Sequence, residues 1–417
     1  MGIERLKSAN YRKPAYLLIL LDALAFGLLF MNNDYNLNVL YTGAAVLVLF
    51  LIMYTVLVLG HMGDKFIMLM VFMLISIGVL LLCSINLSYG LRQIIWILVG
   101  GVVFFIAYVI YYNIKTWNRL WWLYFFVGVA LFLITLIFGK TINGSRNWVG
   151  TDSFSFQPSE IIKIMFIMCL ACYCCGTWSK PVFGKLEPKW AALIITYVFV
   201  GFLVLQRDWG TILVMFSIYL FMVYVYEPDK KLLFLNIGVL AVIGLLGYKF
   251  LYHIQVRIAN WIDPWSDISN RGYQIAQSLF ALASGGYFGT GLGNGVPSSI
   301  PEAHSDFIFA AICEEMGVFG GVAVILLFFL IAYRCFKISI MTTDPYDKAV
   351  SFGVTVMFAL QTFIIIGGVI KMIPLTGITL PFISYGGTSI VISFASLGII
   401  QAISAKTERR EEQYEHQ

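Results

Sequence analysis

The sequence predicts an all-α, polytopic membrane protein of about twelve transmembrane helices. Hydrophobic residues make up 60% of its 417 residues and charged residues only 12%, about half the charged share of a soluble domain. Apolar runs that approach the roughly 20 residues needed to cross a bilayer occur twelve times, at residues 15–31, 39–60, 66–83, 94–112, 120–138, 161–176, 190–205, 209–226, 232–252, 307–333, 349–370 and 386–404. No basic stripe interleaved with aromatics lies outside these runs, so nothing indicates nucleic-acid binding.

The order of the runs indicates one polytopic membrane domain over residues 1–417. Residues 1–138 carry five spans, residues 139–404 carry seven and include a long loop at 253–307, and residues 405–417 form a polar tail. No internal repeat is visible, which argues against the inverted-repeat architecture of many transporters.

The distribution of Lys and Arg predicts that both termini lie in the cytoplasm. In that orientation eighteen of these cations fall on the cytoplasmic side and seven outside, while Lys163 and Lys249 fall in or near spans. The seven outer cations are Arg92, Lys140, Arg146, Arg207, Arg257, Arg271 and Lys371. The polar segments 139–160, 206–210 and 253–307 then face outward, so we expect the chemistry at the outer surface.

Asp306 stands where the long loop meets the tenth span. Pro301 cannot continue a helix and Ser305 is a good N-cap residue, so Asp306 is predicted to be the first residue of that span. A carboxylate poised at a membrane edge suits a general base. It equally suits a carboxylate that only caps the start of the helix and faces water. Position alone leaves both interpretations open.

Glu314 and Glu315 follow eight and nine residues later, roughly 12–13 Å deeper at the rise of an α-helix. Carboxylates at that depth must face the bundle interior or a cavity. They indicate either structural hydrogen bonding or proton-coupled transport.

Cations also stand close to carboxylates in the outward segments. Glu160 and Lys163 are three residues apart and share one helix face. They form either a plain salt bridge or a pair in which the glutamate presents the lysine to a lipid-linked phosphate. Arg146 lies beside Trp148, which fits an anion-binding cation or an ordinary interfacial residue. Arg207 and Asp208 are predicted to form an interfacial ion pair at the start of the eighth span.

The segment "GGYFGTGLGNG" at 285–295 is rich in glycine. No strand precedes it and the spacing of a dinucleotide fingerprint fails. It therefore predicts a tightly turning loop that supports the loop carrying Asp306.

Five blocks together resemble the signature motifs of the SEDS family (shape, elongation, division and sporulation), which includes RodA and FtsW. They are "NGSRNW…QPSEIIKI", "QRDWGT", "GYQIAQSLFALASGG…GTGLG", "PEAHSDFIFAAICEEMG" and "PLTGITLPFISYGGTS", in family order between about residues 139 and 400. The first 138 residues match only in character. They carry five spans where ten-span members have three, so the chain resembles a twelve-span branch with two additional N-terminal spans.

The resemblance implies a peptidoglycan glycosyltransferase that polymerises lipid II at the outer face of the bacterial cytoplasmic membrane and releases undecaprenyl pyrophosphate. It implies Asp306 as the catalytic residue. The substrate-binding residues that it implies or allows are Glu160, Lys163, Arg146, Arg257, Glu302 and His304. Glu315, Asp208 and Gln157 are expected to support them. A divalent cation, Mg²⁺ or Mn²⁺, could share the stabilisation of the pyrophosphate.

The family analogy also implies a partner, the transpeptidase known as a class B penicillin-binding protein. It does not separate roles in elongation, division or sporulation. Two competing functions are a lipid II flippase, motivated by Glu314 and Glu315, and a non-catalytic scaffold of a division complex, which should tolerate loss of Asp306.

Overall fold

A computed structural model describes residues 11–142, 144–150, 155–176, 187–268, 270 and 272–415. The predicted fold class is confirmed: the protein is an all-α, multi-pass membrane protein with one small β-sheet in a loop. Of the cations used to predict the orientation, Arg5, Lys7, Lys180, Lys185 and Arg271 lie outside the described residues.

Each predicted span coincides with a helix. The helices are α1 (Arg12–Asn32), α2 (Leu37–Leu59), α3 (Lys65–Ile85), α4 (Leu87–Asn113), α5 (Trp121–Phe138), α6 (Pro158–Cys174), α7 (Pro188–Gln206), α8 (Trp209–Tyr226), α9 (Lys231–Phe250), α10 (Tyr252–Ile262), α11 (Tyr273–Gly285), α12 (Ile308–Met341), α13 (Pro345–Val369) and α14 (Gly387–Glu415). Within the described residues, eleven are long and apolar enough to cross a membrane. The sixth predicted span corresponds to α6, which has 17 residues and is shorter than the eleven.

The segment between α5 and α6 contains the sheet. Strands β1 (Lys140–Ile142), β2 (Ser145–Gly150) and β3 (Ser155–Phe156) pair antiparallel in that order. Gly144 has φ +84° in the turn between β1 and β2, a conformation that glycine adopts without cost. The Asn-Gly pair at 143–144 is a strong hairpin signal, yet the sheet was not predicted from the sequence.

Burial separates central helices from lipid-facing ones. The apolar segments of α3, α13 and α14 are 83%, 78% and 78% buried, whereas that of α9 is only 17% buried. Large apolar side chains stay exposed on the outer helices, including Phe234 and Leu245 of α9, as expected for side chains that contact lipid tails. The bundle is therefore centred on α3, α13 and α14.

Helix α12 is broken at Gly317, which has φ 69° and ψ −174°. The glycine-rich loop after α11 replaces two hydrogen bonds that a continuous helix would make. The carbonyls of Glu314 and Glu315 accept from the amides of Thr290 and Gly291, at 2.9 and 3.1 Å. The amides of the next two residues past the break, 318 and 319, donate to the carbonyls of 286 and 287, at 2.9 and 3.2 Å. The loop thus satisfies backbone groups that the break would leave unpaired.

Helix α1 attaches to the rest of the bundle through polar contacts as well as packing. Ser76 of α3 donates to the buried carboxylate of Asp22 in α1 at 2.8 Å. At the end of α1, the Asn32 amide donates to the Leu292 carbonyl at 2.6 Å. Helix α1 therefore contacts the same glycine-rich loop that closes the break in α12.

We expect Gly317→Ala to destabilise the protein, because it acts on the break itself. A Cβ at Gly317 would lie 2.4 Å from the Gly289 nitrogen and from the Tyr287 carbonyl oxygen, and a strained backbone conformation alone costs about 1–3 kcal/mol. The measurement is the melting temperature in detergent.

The matched control is Gly244→Ala in α9, where an added Cβ meets nothing within 4 Å. Its melting temperature should match that of the unmodified protein or exceed it. Equal melting temperatures for the Gly317 and Gly244 variants would contradict the role assigned to the break.

Candidate active site

Asp306 lies in a turn just before α12, and the prediction that it begins the helix is wrong. The helix begins at Ile308, and its N-cap residue Phe307 makes no side-chain cap hydrogen bond. Ser305 does not cap it either, because its hydroxyl contacts Glu302, at 3.4 Å from the carbonyl oxygen and 3.3 Å from Oε2. Glu302 has φ +57°, so the chain turns tightly here. The turn holds Asp306 ahead of the helix rather than in its first turn.

Asp306 and Arg257 converge on Gly377, in the segment that joins α13 to α14. A Cβ at Gly377 would lie 3.3 Å from Asp306 Oδ2 and 3.7 Å from Arg257 Nη2. Gly377 has φ +75°, so glycine suits this position both by conformation and by space. Arg257 comes from α10, and its Nη1 donates to the Thr376 carbonyl at 2.9 Å.

The environment of Asp306 shifts its protonation to near neutral pH. Burial and, to a lesser degree, the Glu302 carboxylate raise the pKa of Asp306, whereas the hydrogen bond with Ser305 and the Arg257 guanidinium lower it; together they bring the pKa to about 7. Burial lowers the pKa of Arg257, opposed by Asp306 and Asp208. The arrangement therefore joins a carboxyl group that can accept a proton near neutral pH to a cation that can bind an anion.

Asp208 connects three segments at one end of the bundle. Its Oδ1 accepts from the Thr211 amide at 3.1 Å and so caps α8. Its Oδ2 accepts from Asn147 at 3.2 Å and from Gln157 at 3.4 Å. The predicted ion pair with Arg207 does not form among the described residues, because Arg207 ends α7 in a left-handed conformation with φ 58°. Asp208 instead holds β2 and the start of α6 to α8.

Glu160 and Lys163 form a buried ion pair in the first turns of α6. Lys163 Nζ lies 2.7 Å from Glu160 Oε1. Lys163 is 2% exposed and Glu160 is 8% exposed. The spacing of three residues places them on one helix face, as predicted. Neither makes a direct hydrogen bond or ion pair with Asp306 or Arg257 within the described chain. The pair is therefore a buried charged element that is separate from Asp306 and Arg257.

Arg146 is exposed on β2 and caps the end of α5. Its Nε donates to the Gly139 carbonyl at 2.9 Å and its Nη2 to the Ile137 carbonyl at 3.1 Å. Backbone carbonyls at a helix C-terminus attract a cation. The structure does not bring Arg146 into contact with Asp306.

His304 packs against two aromatic rings that also contact each other. Its ring stacks on Tyr89 with centroids 4.5 Å apart, and Tyr385 lies 5.7 Å away. Its Nε2 is 3.7 Å from Glu302 Oε2, and burial lowers the pKa of His304, opposed by Glu302.

The segment after α13 also holds the backbone of this turn. The Tyr385 amide donates to the His304 carbonyl at 2.8 Å, and the Ser384 hydroxyl donates to the Ser305 carbonyl at 2.7 Å. No role was predicted for Tyr89, Ser384, Tyr385 or Gly377. The last three fall within the block "PLTGITLPFISYGGTS". The block as a whole therefore indicated a functional segment, although its individual residues did not.

Glu314 and Glu315 each accept a backbone hydrogen bond from the glycine-rich loop or from the residue that follows it. Glu315 accepts from the Gly293 amide at 3.0 Å and from the Ser84 hydroxyl, and Glu314 accepts from the Val296 amide at 3.0 Å. These contacts favour structural hydrogen bonding over proton-coupled transport.

In the described part of the chain, no three His, Cys, Asp or Glu side chains are grouped so that they could hold a metal ion.

Comparison with known proteins identifies the family of this chain. Residues 51–409 match the FtsW/RodA/SpoVE family of cell cycle proteins; the match begins within α2, so α1 precedes it. The chain is 32% identical over 326 residues to the peptidoglycan glycosyltransferase RodA of Mycobacterium tuberculosis (strain ATCC 25618 / H37Rv), covering 75% of this chain and 70% of that protein. It is 34% identical over 359 residues to stage V sporulation protein E of Bacillus subtilis (strain 168), covering 82% and 96%.

Solved structures share the fold. A chain from "Structural coordination of polymerization and crosslinking by a peptidoglycan synthase complex" has a TM-score of 0.71 at 24% identity, covering 83% of this chain and 98% of that one. The crystal structure of Thermus thermophilus rod shape determining protein RodA has a TM-score of 0.61 at 23% identity, covering 82% and 96%. Because the family match spans well over half of the sequence, this protein belongs to the FtsW/RodA/SpoVE family.

Proposed function

We propose that this peptidoglycan glycosyltransferase polymerises lipid II with Asp306 as its general base. The observation that carries the proposal is the convergence of Asp306 and Arg257 on Gly377. In the reaction, the 4-hydroxyl of one lipid-linked sugar attacks the anomeric carbon of the growing chain. The bond from that carbon to the pyrophosphate oxygen breaks, undecaprenyl pyrophosphate leaves, and Asp306 takes the hydroxyl proton. A carboxylate whose pKa is about 7 is well matched to that transfer near neutral pH.

Arg257 is assigned to the phosphate groups of the substrate. Its guanidinium is fixed by the carbonyl of Thr376 and sits beside the base, so it can stabilise charge that develops on the leaving pyrophosphate. Two further cations are assigned to the same anionic substrate. They are Lys163, which pairs with Glu160, and Arg146 on β2. Glu302 and His304 line the turn that carries the base and are assigned to positioning the sugar.

The proposal includes a location and a partner. The chain lies in the bacterial cytoplasmic membrane with both termini in the cytoplasm, which places Asp306 on the extracytoplasmic side. A class B penicillin-binding protein cross-links the strand that this protein makes. The flippase alternative loses its motivation, since Glu314 and Glu315 bind the glycine-rich loop, and a scaffold would not need a carboxyl group that titrates near neutral pH.

Asp306→Asn is expected to reduce polymerisation at least about 10²-fold, because the amide keeps the size of the side chain but cannot accept the proton. In the unmodified protein, the rate should rise as the pH increases through about 7, since the carboxylate is the active form and its pKa lies there. The measurement is glycan-strand formation on a gel across a pH series.

Neighbouring variants test the same assignment. Glu302→Gln should move the pH profile to lower pH, because the Glu302 carboxylate raises the pKa of Asp306. Glu315→Gln should lower the melting temperature more than the rate of the protein that stays folded. Normal polymerisation by Asp306→Asn, with activity abolished in a folded Glu315→Gln, would move the chemistry away from Asp306.

Arg257→Gln is expected to slow polymerisation by roughly ten- to a hundredfold, the usual effect of losing one charge-assisted hydrogen bond. It should also shift the pH profile upward, because the guanidinium lowers the pKa of Asp306. Lys163→Ala and Arg146→Ala should impair turnover with the fold retained. Rates at several lipid II concentrations and a melting curve measure these effects.

Arg92→Gln is the control for Arg257→Gln, since Arg92 is an exposed cation at the start of α4. Its rate and pH profile should be unchanged. If Arg257→Gln behaves like Arg92→Gln, the phosphate site lies elsewhere.

The orientation is tested by labelling single cysteines from outside intact cells. Asn270→Cys lies on the long loop before α12, and Asp229→Cys lies on the connection between α8 and α9; both positions are exposed. A membrane-impermeant reagent should label the first and spare the second. Labelling of Asp229→Cys alone would reverse the proposed topology.

A further inference from the structure

A charged cleft lies at the end of the bundle farthest from Asp306. Helix α14 begins at Gly387, next to the segment that holds Gly377, and continues for 29 residues, about 40 Å at the rise of an α-helix. Near its far end, a cleft of about 550 Å³ opens between α14, the end of α4 and the start of α13. Its charged lining consists of Lys115, Asp344, Asp347, Lys406, Arg409 and Arg410.

The end of α14 sorts its charges by face. Lys406, Arg409, Arg410 and Gln413 line the cleft, and their spacing of three, four and seven residues places them on one side of a helix. The acidic residues of the same segment, Glu408, Glu411 and Glu412, do not line it. The helix therefore directs cations into the cleft and carboxylates away from it.

The two carboxylates in the cleft are already engaged. Asp347 accepts from the Tyr111 hydroxyl at 2.8 Å and lies 3.4 Å from Lys406 Nζ. Asp344 caps α13 by accepting from two backbone amides, both at 3.0 Å. Asp347 thus balances Lys406, and the side chain of Asp344 is turned to the start of its own helix.

Three cations remain without a carboxylate partner among the described residues. Arg410 donates to the Thr343 hydroxyl at 3.0 Å, a neutral partner, and Arg409 lies over the Tyr112 ring at 5.1 Å. Lys115 lines the cleft from the other side. Two guanidinium groups and an ammonium group that face one cleft match a phosphate, since a guanidinium binds phosphate oxygens in pairs.

We propose that this cleft binds the phosphate of an anionic phospholipid headgroup in the leaflet opposite the active site. Tyr112 and Trp117 line the cleft beside the cations, and such aromatics are enriched at the level of lipid headgroups. Basic side chains at this level are attracted to anionic lipids. In the orientation proposed above, the headgroup belongs to the cytoplasmic leaflet. The binding site is independent of the assignment of Asp306.

The test is the melting temperature of the purified full chain in a neutral detergent. A ligand that binds the folded state raises it with concentration. The probes are dioctanoyl phosphatidylglycerol, dioctanoyl phosphatidylcholine and inorganic phosphate. We expect phosphatidylglycerol to raise the melting temperature at concentrations where the other two have little effect.

The double variant Arg409→Gln/Arg410→Gln should need at least about tenfold more phosphatidylglycerol for the same rise above its own baseline, because each cation near an anionic surface contributes about fivefold in affinity. Lys348→Gln is the control, an exposed cation at the start of α13 that does not line the cleft. It should respond like the unmodified protein. Lys115→Gln, which leaves α14 intact, gives a second readout if the double variant does not fold.

Three results would overturn the proposal. Equal effects of phosphatidylglycerol and phosphatidylcholine would assign the stabilisation to the acyl chains. An equal effect of inorganic phosphate would assign the cleft to a soluble anion. An unchanged response in both the double variant and Lys115→Gln would place the lipid elsewhere.

Discussion

Inside a bilayer no water is present to satisfy a backbone amide or carbonyl, so a break in a membrane helix must be closed by the protein itself. In α12 the break at Gly317 is closed by the loop that follows α11, which exchanges two pairs of backbone hydrogen bonds with it. The short helical segment before the break leads directly from the turn that carries Asp306. The loop thereby fixes the turn that carries Asp306 to the bundle, and the buried side chains of Glu314 and Glu315 bind the loop.

The candidate active site depends on the same exclusion of water. A partly buried carboxyl group loses hydration, which raises the pKa of Asp306, and the neighbouring guanidinium of Arg257 limits the rise. Two opposing effects of this kind yield a base that is neither fully protonated nor too weak near neutral pH. Arg257 is in turn immobilised by backbone carbonyls rather than by a carboxylate. Among the described residues no carboxylate lies within ion-pair distance of Arg257, whereas Glu160 pairs directly with Lys163.

The elements with local signals were predictable from the sequence. Apolar length revealed the eleven helices of the described residues that are long enough to cross a membrane, and a spacing of three residues revealed the Glu160–Lys163 pair. The start of α12 was predicted wrongly because Ser305 had a nearer partner in Glu302, a competition that spacing does not reveal. Asp306, Arg257 and Gly377 come from three separate segments, and only the folded chain brings them together. The block containing Gly377 was visible as a motif. The sequence did not show why glycine is needed there, namely that a side chain would crowd the Asp306 carboxylate and the Arg257 guanidinium.

The contact between Asp22 and Ser76 makes α1 depend on a helix that is synthesised later. An aspartate near the middle of a membrane helix costs about 2.5–3.5 kcal/mol on insertion scales, a cost that the apolar residues of α1 offset by themselves until Ser76 is in place. A serine in a helix can return its hydroxyl to its own backbone, so α3 has no matching dependence on α1. During synthesis α1 leaves the ribosome two helices before its partner. Asp22 therefore gains its hydrogen-bond partner only after α3 has been made, and the position of α1 in the bundle is fixed late.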